Sequence, residues 1–180
     1  VVYSSTSGPL THLREGGKYY FAGEFGSNTI RVLEPGATPS DAMTAVGGLE
    51  FAYPAGWYHP SIGMAVRPTP GSVGSYDLVF NIGSQFNAQL STNKVIVSGL
   101  GMAPVELDGD SLYMVTIDQT GASPVASNLR QVATGIRNVY GMGFHPVTGD
   151  FYFTDNAIDE DAVTPSSTPP QADELNWIVA

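Results

Sequence analysis

The most constraining feature of this sequence is a short pattern that occurs three times, at residues 8–24, 63–83 and 141–156. Each copy has a short first segment, a turn that contains glycine, and a second segment rich in aromatic residues. This pattern is typical of two β-strands joined by a tight turn, so each copy predicts an antiparallel hairpin. Repeated hairpins favour an all-β fold.

Composition supports the same fold class. The 180 residues include 21 glycines and 13 prolines, which interrupt nearly every window in which a helix could form. β-Branched and aromatic residues alternate at residues 111–117, as expected of a half-buried strand. Further strands are predicted at residues 28–33, 94–97 and 176–179.

The repeats predict a β-propeller. Phe21, Phe80 and Phe153 occupy equivalent places, at spacings longer than the roughly 40–50 residues of a typical blade. We therefore expect a single partial domain of about three blades with inserted loops, at residues 1–55, 56–130 and 131–180. Three blades do not close a ring, and an open ring exposes its sheet edges.

Net charge and cysteine content limit the classes of ligand and of site that this chain is expected to have. The net charge of −10 disfavours nucleic acid and anionic membrane surfaces, and is compatible with a neutral sugar or a cation. The absence of cysteine excludes disulfides and thiolate metal sites, and is consistent with a secreted or periplasmic protein. The longest apolar segments, such as residues 95–97, are too short to span a bilayer.

One ordered set of motifs resembles a known family. Arg137 and Asn138 precede a predicted strand, Gly149-Asp150 follows as a turn, and an acidic loop leads to Asp-Glu-Leu-Asn at residues 173–176. This order resembles the soluble quinoprotein glucose/sorbosone dehydrogenase family. The resemblance implies a six-bladed β-propeller, of which this chain covers roughly half, and an enzyme that uses pyrroloquinoline quinone and calcium.

The resemblance assigns the Arg-Asn pair to the cofactor. In the family this pair holds pyrroloquinoline quinone, so Arg137 and Asn138 are predicted cofactor-binding residues, with Gln85 as a further polar contact. The planar guanidinium suits a carboxylate or carbonyl group because it donates two parallel hydrogen bonds. The alternative is an arginine paired with an acid at the start of a strand.

The resemblance also assigns a catalytic base. The family histidine that takes the sugar hydroxyl proton, while hydride moves to the quinone, corresponds to His59. Imidazole suits this role because its pKa is ordinarily near neutrality. The family continues with Gly-Asp, whereas this chain has Ser84 after Gly83, and a hydroxyl cannot stabilise imidazolium by charge. The alternative is a structural histidine packed beside Trp57 and Tyr58.

The acidic loop is the predicted calcium site. Calcium takes roughly six to eight oxygen ligands, and the resemblance points to Asp155, Asn156, Asp173 and Glu174. Asp159, Glu160 and Asp161 are further candidates. The alternative is a solvated acidic loop, since the run lacks the spacing of an EF-hand.

Two functions follow. The first is oxidation of an aldose or sorbosone-type sugar by a quinoprotein, with Ser84 counting against full activity. The second is a non-catalytic β-propeller that binds a ligand, or self-associates or pairs with another chain through its open edges.

Overall fold

The computed structural model describes residues 3–4, 9–60, 63–158 and 172–179. Within these residues the chain forms β-strands and no helix, so the all-β prediction is confirmed. The strands are β1 (Leu10–Gly16), β2 (Tyr19–Glu24), β3 (Thr29–Glu34), β4 (Thr44–Ala52), β5 (Met64–Pro68), β6 (Ser75–Ile82), β7 (Lys94–Gly99), β8 (Met102–Asp108), β9 (Ser111–Asp118), β10 (Val125–Thr134), β11 (Val139–Phe144), β12 (Phe151–Asp155) and β13 (Glu174–Ile178).

These strands form three antiparallel sheets. The first sheet has the order β1-β2-β3-β4-β7-β8, the middle sheet β10-β9-β6-β5 and the last sheet β11-β12-β13. The β7–β8 hairpin follows β6 in sequence, yet it extends the first sheet because β7 pairs with β4. Two strands from the segment 56–130 therefore belong to the same sheet as residues 10–52.

The three predicted hairpins are confirmed as β1–β2, β5–β6 and β11–β12. The other predicted strands correspond to β3, β7, β9 and β13. Three strands, β4, β8 and β10, are not predicted by the sequence pattern. These strands carry few buried side chains, β4 contains Gly47-Gly48, and β8, at a sheet edge, contains Pro104. An edge strand tolerates proline, and glycine inside a strand removes a side chain that could pack, so the sequence signal of these strands is weak.

The middle sheet is buried on both faces. Along β6, Leu78, Phe80 and Ile82 pack into a core shared with the first sheet, whereas Val79 packs into a core shared with the last sheet. Alternate side chains of a strand point to opposite faces, so both sets are buried only when sheets cover both sides. Phe153 belongs to the second core, where its ring stacks on Phe151.

The side chain of Arg67 joins the middle sheet to the last sheet. Arg67 Nε lies 3.3 Å from the carboxylate of Asp77, which is almost fully buried. The same guanidinium donates a 3.0 Å hydrogen bond to the carbonyl of Gly149 and lies over the ring of Phe144. Asp77 also accepts hydrogen bonds from the hydroxyls of Thr69 and Thr116.

The first strands of the three sheets are neighbours, since β5 contacts both β1 and β11. A hydrogen bond of 3.3 Å between His12 Nε2 and the carbonyl of Tyr140 also joins β1 to β11. The structure thus establishes three stacked antiparallel sheets, and the six-bladed ring stays a prediction. In the part of the chain that the structure describes, no helix has the length and apolar character needed to cross a membrane.

Candidate functional site

Three segments that are far apart in sequence meet beside the middle sheet, at residues 57–59, 83–87 and 135–138. The backbone amides of Tyr58 and His59 donate to the carbonyls of Gln85 and Ser84, at 3.0 and 3.1 Å. The amide of Ser84 donates in turn to the carbonyl of Arg137 at 2.8 Å. Backbone hydrogen bonds therefore place His59, the predicted base, and Arg137, a predicted cofactor-binding residue, on either side of Ser84.

Gly83 permits this close approach. A Cβ atom added there would lie 2.7 Å from the carbonyl oxygen of His59 and 3.0 Å from that of Arg137. Real Cβ atoms almost never come so close to backbone atoms, so a side chain would push the two segments apart. The carbonyl of Gly83 also accepts a 3.1 Å hydrogen bond from the indole of Trp57.

His59 is buried and bonded to Ser84. Its Nδ1 lies 2.8 Å from the Ser84 hydroxyl oxygen, and that hydroxyl donates its own proton to the carbonyl of Phe86 at 2.7 Å. A hydroxyl has a single proton to donate, so Ser84 accepts from His59, and the neutral ring carries its proton on Nδ1. Nε2 is then the basic nitrogen. Tyr58 packs edge-on against the imidazole, with 4.6 Å between ring centroids.

The guanidinium of Arg137 bridges two loops. Nε and Nη2 donate to the backbone carbonyl and the side-chain oxygen of Asn87, the former at 3.0 Å. Nη1 donates to the carbonyls of Asn156 and Ala157, at 3.4 and 2.6 Å. The guanidinium is thus engaged with carbonyl groups of the chain itself, and it holds the loop after β6 against the loop after β12.

The acid beside Arg137 bonds to its backbone. Asp155 accepts hydrogen bonds from the amide of Arg137 at 2.9 and 3.0 Å and from the amide of Asn138 at 2.7 Å. Burial raises the pKa of Asp155, and the nearby Glu174 carboxylate raises it further. The hydrogen bonds from the backbone amides of Arg137 and Asn138 oppose this rise. Asn138 is buried, and its carbonyl accepts a 3.1 Å hydrogen bond from the amide of Asn156.

A cavity of about 540 Å³ lies between these two loops. Three carboxylates and one guanidinium line it, those of Asp110, Asp155, Glu174 and Arg137. Its other lining residues are mainly amides and apolar side chains, together with Ser84. His59 does not line the cavity, and Ser84 is the residue that connects the imidazole to the wall. The cavity has the size of a small-molecule site, which is typically about 300–1,000 Å³.

The side chain of Gln85 does not line this cavity. Its side-chain oxygen accepts hydrogen bonds from the amides of Thr92 and Asn93, each at 3.1 Å, and so orders the loop after β6. Asp110 lies in the turn between β8 and β9, and it also lines the cavity. Its carboxylate accepts 2.7 and 3.1 Å hydrogen bonds from the amide and hydroxyl of Ser91. No local sequence signal indicates this second role.

The predicted calcium ligands make hydrogen bonds within the protein. Asp155 accepts backbone amides, as described above, and Asp173 accepts the amide of Ala157 at 2.8 Å. The carbonyl of Asn156 accepts from Arg137. In the described ranges no three acidic or histidine side chains converge as metal ligands would. Asp159, Glu160 and Asp161 lie outside the described residues, and calcium binding stays a prediction.

The residues in this cavity do not fit pyrroloquinoline quinone as a ligand. The quinone carries several carboxylates, whereas the cavity wall brings three carboxylates and a single guanidinium. Like charges repel strongly where water is partly excluded, and the guanidinium is engaged with Asn87 and the 156–157 carbonyls. We therefore assign no chemical step to this cofactor.

No model of a known protein family, no curated protein and no solved structure matches this chain.

Proposed function

We propose that this chain forms part of a β-propeller of the quinoprotein sugar dehydrogenase type, about half of the ring, and that its cavity binds a neutral sugar. One observation carries this proposal. His59, Ser84 and Arg137 come from distant segments and meet beside one cavity of about 540 Å³. The sequence resemblance assigns His59 and Arg137 to one site, and the proposal rests on their lying together.

The chemistry of the cavity wall favours a polyol. Sugar hydroxyls both donate and accept hydrogen bonds, and Gln89, Asn156 and Glu174 offer both kinds of partner. Leu90 and Ile158 supply apolar surface of the kind that covers the C–H face of a sugar ring. A neutral ligand also avoids the repulsion that the lining carboxylates would exert on an anion. An aldose or sorbosone-type sugar meets these requirements.

Oxidation of the bound sugar is the second candidate. The observation that favours it is the Nδ1–H form of His59, which makes Nε2 the nitrogen able to take a hydroxyl proton. Two features oppose efficient turnover. Ser84 supplies no negative charge to stabilise the imidazolium, and the cavity wall does not suit an anionic quinone. We therefore rank sugar binding ahead of sugar oxidation.

Association with a further sheet is part of the propeller proposal. Leu175 and Trp177 on β13 are 74% and 60% exposed in the described part of the chain. In a six-bladed ring another sheet would cover this region, supplied by the same polypeptide or by another chain. The native mass of the purified protein tests this point: a mass above that of one chain supports an intermolecular partner, and a monomer contradicts one.

The sugar proposal is tested by calorimetric titration with aldoses, with and without pyrroloquinoline quinone, calcium and EDTA. Saturable sugar binding without additives is expected, and Glu174→Gln should weaken it about tenfold. Asp118→Asn, which changes a carboxylate that does not line the cavity, serves as the control and should bind like wild type. Sugar-dependent reduction of added quinone, followed by absorbance, would move oxidation to first place. Absence of saturable binding by any aldose would overturn the proposal.

A further inference from the structure

Asp155 is joined to His59 by an unbroken series of hydrogen bonds. Its carboxylate accepts the amides of Arg137 and Asn138 at 2.7 to 3.0 Å. The Arg137 carbonyl accepts the Ser84 amide at 2.8 Å. Ser84 in turn accepts from His59 twice, at its carbonyl from the backbone amide and at its hydroxyl from Nδ1. The series connects the last sheet to the predicted base.

Each bond in this series is of a kind that fixes position. A carboxylate that accepts successive backbone amides makes charge-assisted hydrogen bonds, which are stronger than those between neutral groups. Asp155 stands at the end of β12, where pairing with Glu174 on β13 holds its backbone. The backbone is tightly packed at Gly83, next to Ser84, because the carbonyl oxygens of His59 and Arg137 border the space that a Cβ would occupy. A shift of residues 137–138 is therefore transmitted to Ser84.

We propose that Asp155 is a positioning residue for His59: through the backbone of Arg137 and Asn138 it sets the place of Ser84, and so the proton-bearing nitrogen of the imidazole. This inference rests on the proposed function for its purpose, since the imidazole is the group that would act on a bound sugar. It assigns to Asp155 a role different from the metal ligand that the sequence predicts.

The test uses ¹⁵N-histidine NMR of Asp155→Asn, a variant of equal size without the charge. The proposal expects a lower share of the Nδ1–H form at His59 and about tenfold faster exchange of the Ser84 amide proton. His145 is an internal reference, because its Nδ1 accepts the amide of Thr148 at 3.1 Å and the ring thus has the opposite tautomer. A His59→Gln sample assigns the signals.

Asp118→Asn is the matched control. Asp118 also accepts a backbone amide, that of Thr120 at 2.8 Å, but it lies at the end of β9 that pairs with Ser75, opposite the end that pairs with Ile82 beside the site. It should leave the His59 signals unchanged. Asp155→Glu keeps the charge and displaces the carboxylate by one methylene, so it should change the same signals in the same direction, to a smaller extent.

The inference is overturned if His59 and the Ser84 amide in both Asp155 variants behave as in wild type. It is also overturned, without any variant, if the amides of Arg137, Asn138 and Ser84 exchange rapidly in the wild-type protein. These readouts need no sugar, so a failure of sugar binding leaves them intact. A loss of sugar affinity with unchanged His59 signals would count against the inference and not against the site.

Discussion

The imidazole Nδ1 of His59 lies 2.8 Å from the hydroxyl oxygen of Ser84, 25 residues later in the chain. The hydroxyl therefore orients the ring in the way that a carboxylate would, because it accepts the Nδ1 proton while its own proton goes to Phe86. What the hydroxyl lacks is charge. The same geometry with a carboxylate would also stabilise the protonated ring.

Replacing Ser84 with aspartate should raise the pKa of His59 relative to wild type, because the new carboxylate favours the imidazolium. Relative to wild type, the variant should therefore gain stability at low pH, where the imidazolium forms. That stability is lost as the pH rises through the folded pKa. Histidine NMR titration measures the shift.

Ser84→Ala is the comparison for this experiment, since it removes the acceptor without adding charge. The aspartate variant also leaves the Phe86 carbonyl without the hydroxyl donor, which should cost about 1–3 kcal/mol at neutral pH. An unchanged His59 titration in the aspartate variant would contradict the contact seen here.

Gly83→Ala should lower the free energy of unfolding by about 1–3 kcal/mol, because the added methyl group meets backbone atoms of His59 and Arg137. Urea denaturation measures the loss. Gly143→Ala is the matched control, because an added Cβ on that β11 glycine meets no atom within 4 Å. Equal stability of the two variants would show that the segments at Gly83 can separate freely.

Arg137→Lys should loosen the two loops that the guanidinium joins, because an ammonium group cannot reproduce the planar fork. The expected loss is about 1–3 kcal/mol of unfolding free energy, with faster hydrogen exchange at residues 85–91 and 156–158. Arg14→Lys is the control, since that guanidinium bonds to the carbonyl of adjacent Leu13. Unchanged exchange in both loops would show that other contacts hold them.

Glu174→Gln should lower the pKa of Asp155, because it removes a neighbouring negative charge, although burial keeps that pKa above its usual value of 3.8. With the folded-state pKa raised, stability from this group is greatest below 3.8 and is lost as the pH rises through the folded pKa. The variant should move this decline to lower pH. Carboxyl ¹³C NMR of Asp155 measures the shift directly, and an identical titration would contradict it.

Arg67→Ala should destabilise the protein by on the order of 3 kcal/mol, because it leaves the Asp77 carboxylate buried without its cation. The side chains of Asp77 and Arg67 are 3% and 20% exposed, so solvent screens this pair little. Lys94→Ala is the contrast. Lys94 pairs with Asp108 at 2.7 Å, but both side chains are about half exposed or more, so solvent screens the pair and the loss should be much smaller. Thermal and urea denaturation compare the two, and equal losses would contradict the difference.

The local structure of this protein could be predicted from its sequence because hairpins depend on nearby residues. The glycine turns and the alternation of apolar residues predict β1–β2, β5–β6 and β11–β12 without knowledge of the rest of the fold. The edge strands β8 and β10 escaped prediction because their side chains are mostly exposed, so little alternation marks them.

The sequence alone determined which residue types were available at the site, including His59, Ser84 and Arg137, and the hairpins that these residues flank. The tertiary structure decided how they are used, because each contact depends on segments that lie far apart in the chain. It pairs β7 with β4, directs the Arg137 guanidinium to loop carbonyls, and places the Asp155 carboxylate against two backbone amides. Each of these contacts forms because a donor and an acceptor from distant segments come within hydrogen-bonding distance, and that distance is set by the packing of the sheets.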